Sequence, residues 1–375
     1  MMKVLFITNV PSPYRVDFFN ELGKLCELTV LFEKQTSDER DESWKNYRFE
    51  NFKGVFLKGK SIGTDVAICF DILRYVTDKR YDEIICSNMS SPTGIIAIMT
   101  MKLLHIPYYL EADGGTAKSG NGIKEKIKKL IMAGAKGYFS TSKSCDKYFE
   151  TYGARCELVH RYPFTSLKEN EILVKPLSYQ EKFELRKKLD LQEDKILISV
   201  GRFSYLNGYG KGYDTLMKVC EKLPDDIGVY IIGDKPTDEF VEWKKEKNLV
   251  HLHFLPFKLK KELFEYYQAA DLSVLLTRGE AWGLVVNESM ANGTPVLTTD
   301  ACVAGLELIR NEENGYVVPV DEVKLVEKLI HDFVADEDNK NKMSKSALSS
   351  IRKYTIEQMA KIHFRILCEG AGLRI

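Results

Sequence analysis

"DLSVLLTRGEAWGLVVNESMANGTPVLTT", residues 271–299, decides the fold. "DLSVLLT" is an apolar run of strand length, "RGEAWG" a polar connection with two glycines, and "LVVNESMAN" has the composition of a helix. After the small-residue break "GT", "PVLTT" is again a strand. Strand, helix and strand in so short a span make one unit of a parallel sheet.

The same alternation continues on both sides. "KILISVG" (195–201), "GVYIIGD" (228–234) and "HLHFL" (251–255) precede it as further strands. An earlier series comprises "KVLFI" (3–7), "LTVLF" (28–32), "EIICS" (83–87), "PYYLEA" (107–112) and "GYFS" (137–140). Between the two series lies a charged stretch with Pro163 and Pro176, so the boundary falls near 165–190. A chain of 375 residues exceeds what one core usually organises, so two domains are expected, about 1–165 and 190–355. Within the second, "VDEVKLVEKLIHDFV" carries apolar residues at 323, 326, 329, 330 and 333, one face of a helix, and two more helical segments follow. The fold class is α/β, with two doubly wound Rossmann-like domains facing a central cleft at the carboxyl ends of their sheets, where ligands bind in such folds.

Composition narrows the chemistry. Lys+Arg and Asp+Glu both number 54, so no global field favours nucleic acid. The eight cysteines are scattered with no CxxC pair, which suits reduced thiols in a cytoplasmic protein and gives no zinc site. The first residues are expected to be a strand rather than a signal peptide, and no window is long and apolar enough to span a membrane.

Two segments carry candidate chemistry. In "ISVGRFSYLNGYGKGYDTL" (198–216) a strand ends at Gly201 and a helix starts near Gly212, with Arg202 and Lys211 flanking a glycine-rich loop. Cations beside free backbone N–H groups at a helix start suit a diphosphate, although two solvated surface cations would look the same. Neither the P-loop pattern nor the dinucleotide fingerprint is present. In the opening segment Glu280 sits on the connection and Glu288 in the second turn of the following helix. A helix start favours phosphate, and carboxylates nearby can accept from sugar hydroxyls, each charge-assisted bond contributing about 1.5–3 kcal/mol. A nucleotide sugar satisfies both requirements. The alternative is that Glu280 caps the helix and Glu288 faces solvent.

"GEAWGLVVNESMANGTPVL" resembles the E-x7-E signature of the retaining glycosyltransferases of family 4, which have the GT-B fold. "VGRF…KGYD", "VYIIGD", "LHFLPF…LFEYYQAADLSVLLT" and "ENGYVVP" follow in that family's order, strongly over 195–320 and more weakly over 1–160. The resemblance implies a hexosyltransferase-type enzyme that moves a sugar from a nucleotide-diphosphate sugar to a saccharide or lipid-linked acceptor, as in cell-surface polysaccharide or glycolipid synthesis. It implies that Gly201, Arg202 and Lys211 meet the donor diphosphate, that Glu280 contacts the transferred sugar, and that Glu288 binds the ribose hydroxyls. Backbone around Trp282, Gly283 and Leu284 would meet sugar and phosphate. No cofactor or metal is implied, and the helix at about 356–372 would pack back on the first domain. A nucleotide-sugar epimerase and a non-catalytic nucleotide-sugar binding protein are the competing readings.

The chain departs from that family in four places. "SYLNGYG" lengthens the loop before Lys211, and "NVPSPYRVDFF" lacks the usual paired glycines, which leaves Tyr14 and Arg15 for the acceptor. Pro256 stands where a glycine is common, and Asp113 stands where many members carry a histidine at the reaction centre. Asp113 is therefore expected to be catalytic, with a turn-capping role as its alternative. Lastly, "GIKEKIKKLIMAGAKG" (122–137) sets Lys124, Lys126, Lys128 and Lys129 among apolar residues. Such a stretch is either a domain helix with one solvated face or a peripheral contact with an anionic membrane at its inner face.

Overall fold

The run Lys195–Val200 is buried along most of its length, as a strand inside a parallel sheet must be. It pairs in parallel with Ile227–Gly233 on one side and Leu272–Leu275 on the other. The complete order across this sheet is Leu252–Pro256, Ile227–Gly233, Lys195–Val200, Leu272–Leu275, Val296–Thr299, Gly315–Val318. Numbered along the chain that order is third, second, first, fourth, fifth, sixth, the doubly wound arrangement. Its core packs Phe203, Tyr213 and Phe240 with Leu197, Ile231 and Val274.

A second parallel sheet runs Lys53–Phe56, Glu27–Phe32, Lys3–Thr8, Glu83–Cys86, Tyr109–Ala112, Gly137–Ser140, Val159–Arg161. The computed structural model describes residues 1–35, 47–115 and 122–373. It separates into two units: Met1–Ser166 with Tyr354–Ile375, and Leu167–Lys353. The first unit is thus built from two stretches of chain. Its closing element is the helix Ile356–Gly370, capped by the Thr355 hydroxyl accepting from the Gln358 N–H at 3.2 Å and packed against the helix Pro13–Leu22. His363 of that helix is fully buried, stacked on Phe139 at 4.4 Å and set edge-on to Phe18 and Tyr162. Each sheet is therefore wound about its own first strand.

Candidate functional site

In the sheet of the second unit the winding direction reverses between Lys195–Val200 and Leu272–Leu275. The carboxyl ends of those strands are where a doubly wound sheet holds its ligand. Gly201 and Arg202 leave the first strand there, and the segment from Leu276 to Gly283 leaves the second. The lengthened loop does not stray from this place, because it is tied down at intervals. Asp234 accepts from the backbone N–H groups of Phe203 and of Ser204, the latter at 3.1 Å. The Gly210 carbonyl accepts from the Arg278 N–H and the Thr277 hydroxyl, both at 3.0 Å. Gly212 has φ +69°, and a Cβ there would lie 1.9 Å from the Leu276 carbonyl oxygen, so only glycine permits this approach. Lys211, between those two glycines, is consequently fixed to the segment that carries Glu280. Its ammonium forms an ion pair with the Glu280 carboxylate, and both side chains are mostly sheltered from solvent.

Arg278 is the clamp on this arrangement. Its guanidinium donates in bidentate fashion to Asp214 at 2.6 and 2.8 Å, to Asp321 at 2.6 Å, and to the Tyr209 carbonyl at 2.6 Å. Hydrogen bonds to both carboxylates raise its pKa further above the usual guanidinium range. No local sequence pattern points to Arg278. It stands two residues before Glu280, but its acidic partners lie 64 and 43 residues away, beyond any local pattern.

Glu280 is held by its N–H to the Ala301 carbonyl at 3.0 Å. Gly283 has φ +103°, and a Cβ there would lie 2.8 Å from the Cys302 sulfur, so the helix Leu284–Ala291 starts from a turn that needs glycine. At the entry of that helix the Val286 N–H bonds back to the Gly283 carbonyl at 2.9 Å, and the N–H groups of Leu284 and Val285 come before any acceptor four residues back is available. Glu288 is half-buried in its second turn. Trp282 is buried, with its indole N–H donating to Asn287 at 2.8 Å, so its ring belongs to the packing while its backbone belongs to the helix entry. Two buried phenols, Tyr213 and Tyr267, make no hydrogen bond among the described residues. Burial raises both pKa values, and Glu280 beside Tyr213 and Glu288 beside Tyr267 raise them further.

Asp113 belongs to the first unit, just past the strand Tyr109–Ala112. The sequence assigned it no structural partner, but the structure supplies Arg15. The Arg15 guanidinium, almost wholly buried, donates to Glu111 at 2.8 Å and to Asp113 at 2.5 Å. Tyr162 donates to the same Glu111 oxygen at 2.7 Å, and His363 Nε2 lies 3.6 Å from it. One cation thus serves two carboxylates. Burial would push Glu111 up, but Arg15 and His363 reverse that and hold it at about 2. Burial, opposed by Arg15 and reinforced by the Glu111 charge, pushes Asp113 up to about 6. Tyr14 is half-buried at the rim of this cluster, with its ring edge-on to Phe164 at 5.8 Å. Arg15, offered by the sequence as an acceptor residue, points inward instead.

The family described as "Glycosyl transferases group 1" matches residues 181–349. A D-inositol 3-phosphate glycosyltransferase of Xylanimonas cellulosilytica is 25% identical over 63% of the chain and 57% of its own length. An uncharacterized glycosyltransferase of Methanocaldococcus jannaschii is 25% identical over 74% of each. The chain thus spans little more than half of the first of these relatives. Among solved structures, HepE of Anabaena in complex with UDP is 15% identical and superposes with a TM-score of 0.78, covering 98% of this chain and all of that one. The same protein with UDP-glucose gives 0.74 over the full length of both. The fold is that of the GT-B glycosyltransferases.

Proposed function

From the match of residues 181–349 to the group 1 glycosyl transferases, we propose that this chain is a retaining glycosyltransferase that takes its sugar from a nucleotide-diphosphate donor. The observation that supports it most is the ion pair between Lys211 and Glu280 at the point where the sheet's winding reverses. One partner suits a phosphate and the other a sugar hydroxyl, and they stand side by side as the two ends of a sugar diphosphate require. In this reading Arg202, Lys211 and the N–H groups at the entry of Leu284–Ala291 stabilise the charge that grows on the leaving diphosphate. Glu280 then contacts the transferred sugar and Glu288 the ribose. That assignment needs no metal, and turnover undiminished by EDTA is the expected outcome. Asp113 orients a hydroxyl of acceptor or donor, Tyr14 borders the acceptor, and Arg15 acts from behind by holding Asp113. HepE crystallised with UDP-glucose makes a uridine donor the first to try.

We further infer that a saccharide or lipid-linked acceptor is met at the cytoplasmic face of an anionic membrane. The helix Ile123–Met132 leaves Ile123 77% and Leu130 59% exposed beside Lys124, Lys126, Lys128 and Lys129. Exposed apolar residues among lysines suit the boundary of an anionic bilayer. No helix among the described residues is long and apolar enough to cross a membrane.

The deciding experiment is turnover and binding with UDP-, GDP- and ADP-sugars on wild type, Arg202→Ala and Lys211→Ala. Turnover should fall by roughly 10²–10³-fold in each variant while the fold survives. Unchanged rates in both would overturn the donor site. For the membrane, replacing the four lysines with glutamine should abolish sedimentation with phosphatidylserine vesicles, and wild type that never sediments would point to a soluble acceptor.

A further inference from the structure

The loop that lengthens the approach to Lys211 has an unusual backbone. Leu206, Asn207 and Gly208 lie consecutively at positive φ, 49°, 53° and 84°, and Leu206 has a side chain that disfavours that region. Such a conformation persists only where its surroundings over-determine it. Here they do. Gly208 is pressed between Phe203 and Phe240, the Tyr209 hydroxyl donates to Glu239 at 2.5 Å, and the Tyr209 and Gly210 carbonyls are held by Arg278 and Thr277. The left-handed turn sends Tyr205 back over the loop's own end. A Cβ at Gly210 would lie 2.4 Å from the Tyr205 ring, so the ring rests on bare backbone. From there it faces the Lys211 ammonium, 5.6 Å from the ring centroid, while staying 39% exposed.

Lys211 is therefore held on two sides, by the Glu280 carboxylate and by an aromatic face. An aromatic face attracts a cation without neutralising it. We propose that Tyr205 is a positioning residue of the donor site, which holds the Lys211 ammonium ready for the donor's diphosphate once Glu280 releases it. A phosphate can draw the charge off Glu280 while the ring keeps it from swinging into solvent. The strained turn then has a function, to bring an aromatic from an inserted loop onto the one lysine that needs it. This inference rests on the donor-site reading of Lys211 and adds to it a residue that only the folded loop reveals.

A double-mutant cycle tests it, with titrations of UDP, GDP and ADP on the full chain and the best binder carried forward. Tyr205→Leu should weaken diphosphate binding about three- to fivefold, Tyr205→Phe should stay within about twofold of wild type, and both should melt like wild type. In a Lys211→Ala background Tyr205→Leu should cost nothing more, because the ring acts through the ammonium. Equal losses in both backgrounds, or none in Tyr205→Leu, would overturn the proposal while leaving the donor site intact. A Lys211→Ala variant that binds diphosphate like wild type, or a wild type that binds none of the three, would remove the donor site and this inference with it.

Discussion

If Lys211 meets the donor phosphate and Glu280 its sugar, as proposed, the two glutamates of the segment should answer differently to substitution. Glu288→Gln replaces a carboxylate by an amide with a single acceptor oxygen and should weaken nucleoside diphosphate binding by about 1–3 kcal/mol. Glu280→Gln should mainly lower turnover; equal binding of UDP by both variants and wild type would remove Glu288 from the ribose. Asp113 gives a pH signature. Its folded pKa of about 6 lies above the unfolded 3.8, so the native state holds the proton more tightly, and stability is fully present below the lower value and lost as pH rises through the upper. Asp113→Asn cannot lose that proton, so its melting temperature relative to wild type should climb between about pH 4 and pH 6. A difference that stays flat across the window would show that Asp113 titrates normally. At neutral pH the same variant should lose at least ~10-fold in turnover if the charge serves the reaction. Glu111 runs the other way: its stability is present above 4.5 and lost as pH falls through about 2. Residues of one contiguous motif, such as Glu280 and Glu288, are legible from sequence because their spacing is local. The Arg15–Asp113 pair is not, since it joins positions 98 apart.

Among the elements, the strands buried on both faces could be read directly, because a parallel sheet demands continuous apolar runs. The edge strand Lys53–Phe56 has no fully buried residue, and Val159–Arg161 likewise has none, so neither carries an apolar run to mark it. Nor could the sequence foretell the conformation of the loop before Lys211, whose left-handed turn depends on Phe240 and Arg278 from other elements. The glycines of that loop are the sensitive points. Gly212→Ala would put a methyl group against the Leu276 carbonyl at positive φ and push the loop off the strand end. It should cost about 1–3 kcal/mol of stability and reduce turnover further than donor binding. Denaturant melts alongside steady-state kinetics would check this, and wild-type behaviour would mean that the loop is not held as described.

For the whole molecule, the two units differ in how their chain is laid out. The second is one continuous stretch, whereas the first is completed by residues 354–375. A variant stopped before Tyr354 should therefore leave Phe18, Phe139 and Tyr162 uncovered where His363 now packs. Limited proteolysis should then digest residues 1–166 and spare 167–353; a first unit as resistant as in the intact chain would show that the helix is not part of its core. The same layout bears on synthesis. Domains usually fold in the order in which they leave the ribosome, N-terminal first. Here the nascent first unit emerges early with one wall missing, and must wait, its aromatic face open to chaperones, while the second is translated and closes alone. Of the two units, the one whose chain starts earlier is the one that can close later.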